Sequence, residues 1–148
     1  MDKKHLTLQD INIGDYVQEW SEIPGKWSMP MYVDGIFADG DLYLNFDENE
    51  ADPWETNVKD VYDIPIDWGI LQHFGFFESD THLFHIEQGD WRLSVKVTKP
   101  FDFFQTVAVL SNKKERKAAI PNISLNSIRA LQHFFYERTG EPLKLNFE

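Results

Sequence analysis

The stretch Trp91-Arg-Leu-Ser-Val-Lys-Val-Thr98 decides the fold class, because its side chains alternate strictly between apolar and polar. The apolar positions are Trp91, Leu93, Val95 and Val97. Successive side chains of a β-strand point to opposite faces, so the pattern predicts a strand in a sheet with one buried and one wet face. The pattern also predicts neighbouring strands over residues 83–88 and 104–110.

Helices are predicted on both sides of these strands. Asp67 can cap a short helix that stops at Gly75, and Ser124 can cap a longer one that ends at Gly140. The longer helix carries an apolar stripe, which consists of Leu125, Ile128, Leu131 and Phe135. Alternation over residues 143–147 predicts a last strand. Residues 66–148 are therefore expected to form an α-β-β-β-α-β unit.

Short strands joined by turns are predicted in the first half, over residues 16–20, 31–37 and 42–46. Asp39-Gly40 lies between the last two of these, and Asp-Gly between apolar runs favours a tight hairpin. Residues 1–65 are expected to form an acidic β-rich subdomain, either a small bent sheet or an SH3-like barrel. The predicted fold class is α+β, and the pattern leaves open whether the two parts share one core.

Charge is distributed unevenly along the 148 residues, whose net charge is −11. Residues 1–66 hold 15 Asp and Glu against 4 Lys and Arg, whereas residues 67–148 hold 10 of each. An acidic half disfavours binding to a phosphate backbone and favours a basic protein partner. The chain also lacks cysteine, an apolar leader and a long apolar run. These absences favour a cytoplasmic protein with no membrane association.

Motifs for catalysis, cofactors and metals are missing from the sequence, so no residue is predicted to serve any of these roles. The run Asp47-x-Asn49-x-x-Asp52 offers oxygen ligands, but an EF-hand needs Gly at its sixth position and Glu at its twelfth. Asp52 and Val58 occupy those positions. His82 and His85 are three apart in a predicted strand, so they point to opposite faces and cannot share a metal ion.

The tryptophans and the acidic run together define a predicted partner-binding surface. Trp20 and Trp54 are expected in the core, whereas Trp27 follows the Pro24-Gly25 break. Aromatic side chains beside charged ones are typical of protein interfaces. The leading hypothesis is a non-enzymatic interaction module that binds a protein, with oligomeric state unknown. The residues assigned to that surface are Trp27, Asp47, Glu48, Glu50 and Asp52.

Three alternatives stay open at this point. The acidic half could imitate DNA and inhibit a DNA-binding protein. One of the many carboxylate pairs could serve a small hydrolase. The basic run Lys113-Lys-Glu-Arg-Lys117 could contact nucleic acid, although such a run is more often a solvated connection between strands.

A resemblance covers much of the chain. Residues 6–20, 54–66, 69–76 and 128–143 resemble small uncharacterised proteins of Bacteroidetes-type bacteria, their phages and mobile elements. Residues 128–143 are similar to the closing helix and strand of those proteins. The resemblance implies a phage or mobile-element setting, and it assigns no catalytic or binding residue.

Overall fold

The computed structural model describes residues 5–21, 25–46, 53–121 and 125–147. The chain divides into two compact units, Met1–Ile64 and Pro65–Glu148. The regular structure of the described residues consists of two antiparallel sheets, two α-helices and two short 3-10 helices, so the fold is α+β. In the ranges described, no helix has the length and apolar character needed to cross a membrane.

The first unit is a six-stranded antiparallel sheet that curls into a half-barrel. Its strand order is β2-β1-β3-β4-β5, and β6 pairs with β1. Short 3-10 helices lie at Leu8–Asp10 and Val58–Asp60. The strands are β1 (Tyr16–Ser21), β2 (Lys26–Trp27), β3 (Met31–Ile36), β4 (Asp41–Asn45), β5 (Trp54–Asn57) and β6 (Val61–Tyr62).

Alternation along β3 and β4 gives this sheet its buried face. Leu42 and Leu44 are fully buried, whereas Asp41 is exposed and Tyr43 is half-buried. The buried side chains meet in one apolar cluster, which contains Leu6, Ile11, Val17, Met31, Val33, Leu42, Leu44 and Val61. One face of the sheet therefore packs on the apolar cluster, and the opposite face points away from it.

The hairpin predicted around Asp39-Gly40 is confirmed. The amide of Gly40 donates to the carbonyl of Phe37 at 3.1 Å, and the amide of Phe37 donates to the carbonyl of Asp41 at 3.0 Å. Gly40 has a φ of +99°, which a residue with a Cβ atom rarely adopts. The turn thus places Phe37 and Asp41 directly opposite each other.

The second unit is a five-stranded antiparallel meander with a helix before it and a helix after it. Its strands follow chain order across the sheet, and β8, β9 and β10 form the long central ladders. The elements are α1 (Trp68–His73), β7 (Phe77–Asp80), β8 (Leu83–Gln88), β9 (Trp91–Thr98), β10 (Gln105–Asn112), β11 (Lys117–Ala119) and α2 (Ile128–Thr139).

Both helices begin at a capping side chain, and α2 ends at the predicted glycine. The residue that caps α2 differs from the predicted one. The Asp67 side chain accepts from the Ile70 amide at 2.7 Å, and Gly140 ends α2 with a left-handed φ of +75°. The cap of α2 is Ser127, whose hydroxyl accepts from the Ala130 amide at 3.1 Å. Ser124, the predicted cap, lies outside the described residues, and Leu125 precedes the helix.

The predicted order of this unit needs two corrections. Five strands separate the helices instead of three, because β7 and the short β11 extend the sheet at its two edges. The last predicted strand is absent from residues 143–147. There the Gln88 side chain accepts from the Lys144 amide at 2.8 Å and donates to the Pro142 carbonyl at 3.0 Å. Leu143 is buried, so the alternation reflects packing of the tail without a strand ladder.

Candidate functional site

A concavity of about 330 Å³ lies in the first unit, on the side of β4 that faces away from the apolar cluster. Its lining combines aromatic and acidic side chains, and no described lysine or arginine belongs to it. The lining residues are Phe37, Asp39, Asp41, Tyr43, Glu55 and Thr56.

Strand register brings these residues together from separate parts of the sequence. Tyr43 pairs with Gly35 of β3 on one side and with Glu55 of β5 on the other. Asp41 pairs with Asn57 in the same ladder between β4 and β5. Directly paired residues present their side chains on the same face of a sheet. Tyr43, Glu55 and Asp41 therefore share the outward face.

Gly35 allows the aromatic part of the site to form. A Cβ atom at Gly35 would lie 3.3 Å from Cδ2 of Tyr43 and 3.6 Å from Cε2 of Phe37. The Tyr43 side chain can approach β3 this closely because Gly35 has no side chain. The Phe37 and Tyr43 rings have centroids 4.9 Å apart and planes inclined by 66°. They form an open aromatic corner, with Phe37 43% exposed.

No cation with a described position neutralises the acidic part of the site. One oxygen of Asp39 accepts from the Asp41 amide at 3.0 Å, and one oxygen of Asp41 accepts from Nδ2 of Asn57 at 3.1 Å. Within the described ranges, the Glu55 side chain makes no hydrogen bond, and none of these three carboxylates makes an ion pair. Three negative charges therefore surround the aromatic corner.

The carboxylate of Glu19 accepts hydrogen bonds from β5 next to the concavity. The indole Nε1 of Trp54 donates to both carboxylate oxygens of Glu19, at 3.1 and 3.2 Å, and the Thr56 hydroxyl donates to the same group. The expectation that Trp54 is a core residue was wrong, since it is 54% exposed. Its ring lies at the end strand of the sheet, where the N–H finds a charged acceptor.

The residues predicted from sequence to bind a partner fall elsewhere. Trp27 is half-buried on β2, with its ring centroid 4.9 Å from that of Trp20 and 5.1 Å from that of Tyr62. Its role in binding stays a prediction. The remaining members of that surface, Asp47, Glu48, Glu50 and Asp52, lie outside the described residues.

The basic run between β10 and β11 forms a hairpin turn, as the solvated-connection interpretation predicts. Nζ of Lys113 lies 2.7 Å from the Glu87 carboxylate, and Nζ of Lys117 lies 3.6 Å from the Glu115 carboxylate. Two of its four cations are therefore paired with acids of the same unit.

A metal ion such as Ca²⁺ needs several oxygen ligands that converge on it. Among the residues with described positions, no group of three or more His, Asp or Glu side chains could hold one metal ion. The carboxylates of Asp39, Asp41 and Glu55 are spread around the concavity and do not converge on one point.

A second polar cluster surrounds His85 in the other unit. His85 of β8 is only 6% exposed, and it pairs with Ser94 of β9 on the same face of the sheet. Its Nδ1 lies 2.7 Å from the Ser94 hydroxyl, and its Nε2 is hydrogen-bonded to the Ser79 hydroxyl. A neutral imidazole has one donor and one acceptor nitrogen, so two hydroxyls satisfy it completely. The arrangement stabilises a buried histidine.

Burial lowers the pKa of His85 below its usual 6.5, and the positive charge of Arg92 lowers it further, against the opposing effect of Glu87. The folded protein therefore binds this proton less readily than the unfolded chain. The stabilisation from a neutral His85 is complete above pH 6.5 and is lost as the pH falls below that value.

We expect the melting temperature of the wild type to fall more between pH 7.5 and about pH 5 than that of His85→Gln. Glutamine can still donate to and accept from the two serines, but it does not titrate. Thermal unfolding followed by circular dichroism measures both curves. The His73→Gln variant, which changes an exposed histidine, should behave as the wild type. Parallel curves for the wild type and His85→Gln would contradict the assignment.

No protein-family model, curated protein or solved structure matches the chain. Sequence reasoning identified the hairpin that forms one side of this site but did not identify Phe37, Tyr43 and Glu55 as members. A usable signal was present, because Gly35 in a strand pattern indicates a close approach by another group.

Proposed function

We propose that the protein is a non-enzymatic interaction module, which binds a basic segment of a partner protein in the concavity of its first unit. One observation carries the proposal. Three carboxylates, those of Asp39, Asp41 and Glu55, surround a corner formed by the Phe37 and Tyr43 rings, and no lysine or arginine in the described part of the chain pairs with them. A basic side chain is the ligand that this combination complements in charge.

Two physical effects favour a basic side chain here. Carboxylates on one surface attract cations and raise the rate at which a basic segment encounters that surface. The faces of aromatic rings carry partial negative charge and attract cations by about 0.5–2 kcal/mol. The volume of about 330 Å³ is at the lower end of the range for ligand pockets. One long side chain with part of its backbone is therefore a suitable occupant.

Binding is favoured over hydrolysis by the exposure of the acids. Asp39, Asp41 and Glu55 are all exposed. A carboxyl group that acts as a general acid near neutral pH needs a raised pKa, which enzymes obtain by burial or by a second carboxylate in close contact. Exposed acids spread around a concavity suit recognition of a positive charge.

We also infer that the first unit is an SH3-like barrel. The connectivity supports this inference: β3, β4 and β5 form a meander, and β6 returns to pair with β1 directly after the 3-10 helix Val58–Asp60. Glu19 of β1 also contacts Trp54 and Thr56 of β5, which connects the end strand β5 to β1 across the curled sheet. In this assignment, the binding face is the outer surface of the meander.

The test uses a fluorescein-labelled peptide in which Arg and Lys alternate with Gly and Ser, titrated with protein and followed by fluorescence anisotropy. We expect Asp41→Lys, Glu55→Lys to weaken binding about tenfold or more, since it turns attraction into repulsion at the site. The double variant Asp102→Lys, Glu137→Lys changes the net charge equally but alters exposed residues of the second unit. It should remain within about twofold of the wild type, apart from screened long-range effects.

Equal loss of affinity in both double variants would show that only net charge matters and would contradict the proposal. Absence of peptide binding by the wild type at low salt would contradict it as well. Circular dichroism spectra that match the wild type establish that each variant is folded.

A further inference from the structure

We infer that the side chain bound against the open side of the Phe37–Tyr43 corner is an arginine of the partner, recognised by its guanidinium group. The inference rests on the proposed function and makes its ligand specific. It follows from the shape of the aromatic corner, from the distribution of acceptors around it and from the lack of a cation beside it among the residues whose positions are described.

The aromatic corner has the shape that a flat cation requires. The two ring planes meet at 66° with centroids 4.9 Å apart, so a planar group can stack on one ring while its edge meets the other. Guanidinium is planar and weakly hydrated, and it stacks on aromatic faces. An ammonium group is compact and strongly hydrated, so it gains less from such a surface.

The acceptors surround the corner from several directions. Asp39 lies in the turn, Asp41 on β4 and Glu55 on β5, and the three do not form a group that could hold one small ion. Neither oxygen of Glu55 is hydrogen-bonded within the described ranges, and the hydrogen bonds of Asp39 and Asp41 given above each engage one oxygen. Arginine has five N–H donors spread over a fixed fork and can reach acceptors that lie apart, whereas the three donors of a lysine ammonium are all on one nitrogen atom.

A fully methylated lysine fits this site less well. Such a cation has no N–H group, so every carboxylate of the site would lose water without gaining a hydrogen bond. Cages for methylated cations consist mainly of aromatic walls. Here the lining has only two aromatic residues against three acids.

Other aromatic rings of the protein lie beside a cationic side chain of the protein itself. The guanidinium of Arg92 lies 5.8 Å from the centre of the Phe77 ring, and Nζ of Lys99 lies 5.1 Å from that of Phe104. Across the described ranges, neither Phe37 nor Tyr43 has such a partner. The aromatic corner is therefore open to a cation from outside the chain.

Four labelled peptides, identical except that one central residue is arginine, lysine, trimethyl-lysine or citrulline, test the inference by anisotropy. Citrulline keeps the shape of arginine and loses its charge. We expect the arginine peptide to bind about tenfold more tightly than the lysine peptide, the sum of stacking and forked hydrogen bonds. The other two peptides should bind more weakly still. Phe37→Leu should reduce the preference for arginine over lysine to about twofold or less, because it removes one wall.

The outcomes separate this inference from the proposed function. Equal binding of the arginine and lysine peptides, or tightest binding of trimethyl-lysine, would overturn the arginine assignment and leave a basic-segment module. Citrulline binding as well as arginine would overturn it too, because charge would then play no part. Failure of every peptide to bind would instead remove the proposed function itself.

Discussion

Replacing Gly35 by valine is expected to abolish most binding of the basic peptide while the fold is retained. A Cβ atom at this position would already lie 3.3 Å from Cδ2 and 3.4 Å from Cβ of Tyr43, closer than ordinary van der Waals contact. The two additional methyl groups of valine extend further into the space that the Tyr43 ring occupies. The aromatic corner would be displaced, and we expect affinity to fall about tenfold or more.

The fold should tolerate this change because Gly35 lies in β3 and does not have a positive φ, and valine is favoured in strands. Gly69→Ala is the matched control, since its added Cβ atom would approach only the Asp67 side chain, at 3.6 Å. Anisotropy titrations and circular dichroism spectra measure both properties. A folded Gly35→Val protein with wild-type affinity would show that the aromatic corner does not take part in binding.

Replacing Phe84 by alanine is expected to have the largest effect on stability. Phe84 is fully buried on β8, where it pairs with Val95 of the central strand. Removing a buried phenylalanine side chain costs about 3–5 kcal/mol through lost apolar contact and the cavity that remains. Urea unfolding followed by circular dichroism gives the change in the free energy of unfolding.

Val107→Ala serves as the control for Phe84→Ala. Val107 lies on β10 of the same sheet but is 62% exposed, so its truncation should cost about 0.5 kcal/mol or less. Similar losses for the two variants would mean that the buried and open faces of this sheet are assigned incorrectly.

Local sequence patterns were sufficient for several parts of the fold. Alternation in Trp91–Thr98 correctly placed Leu93, Val95 and Val97 on a fully buried face. Asp39-Gly40 determined the hairpin, because its constraint operates within four residues. The stop of α2 at Gly140 was predictable for the same reason.

Features that depend on contacts between distant segments were not predictable. The apolar and polar residues of the tail at 143–147 alternate as in a strand. The side chain of Gln88, however, hydrogen-bonds to the backbone carbonyl of Pro142 and the backbone amide of Lys144. Strand β11 is three residues long and is defined by its pairing with β10. Neither feature has a strong signal in its own stretch of sequence.

The candidate site also depends on contacts between distant segments of the sequence. Glu55 and Tyr43 are twelve positions apart, and only the register between β4 and β5 places them side by side. Charge counting along the chain correctly indicated that acids crowd the first half, but it drew attention to the run of acids at 47–52. Which acids share a surface with aromatic rings depends on strand pairing, which one sequence does not specify.

Backbone amide shifts of the ¹⁵N-labelled protein, recorded while the arginine peptide is added, test the central claim most directly. We predict that the largest changes occur in residues 35–43 and 55–57, with little change in the second unit. Changes centred on Trp27 and residues 47–52, or on the basic turn at 113–117, with residues 35–43 unmoved, would contradict it.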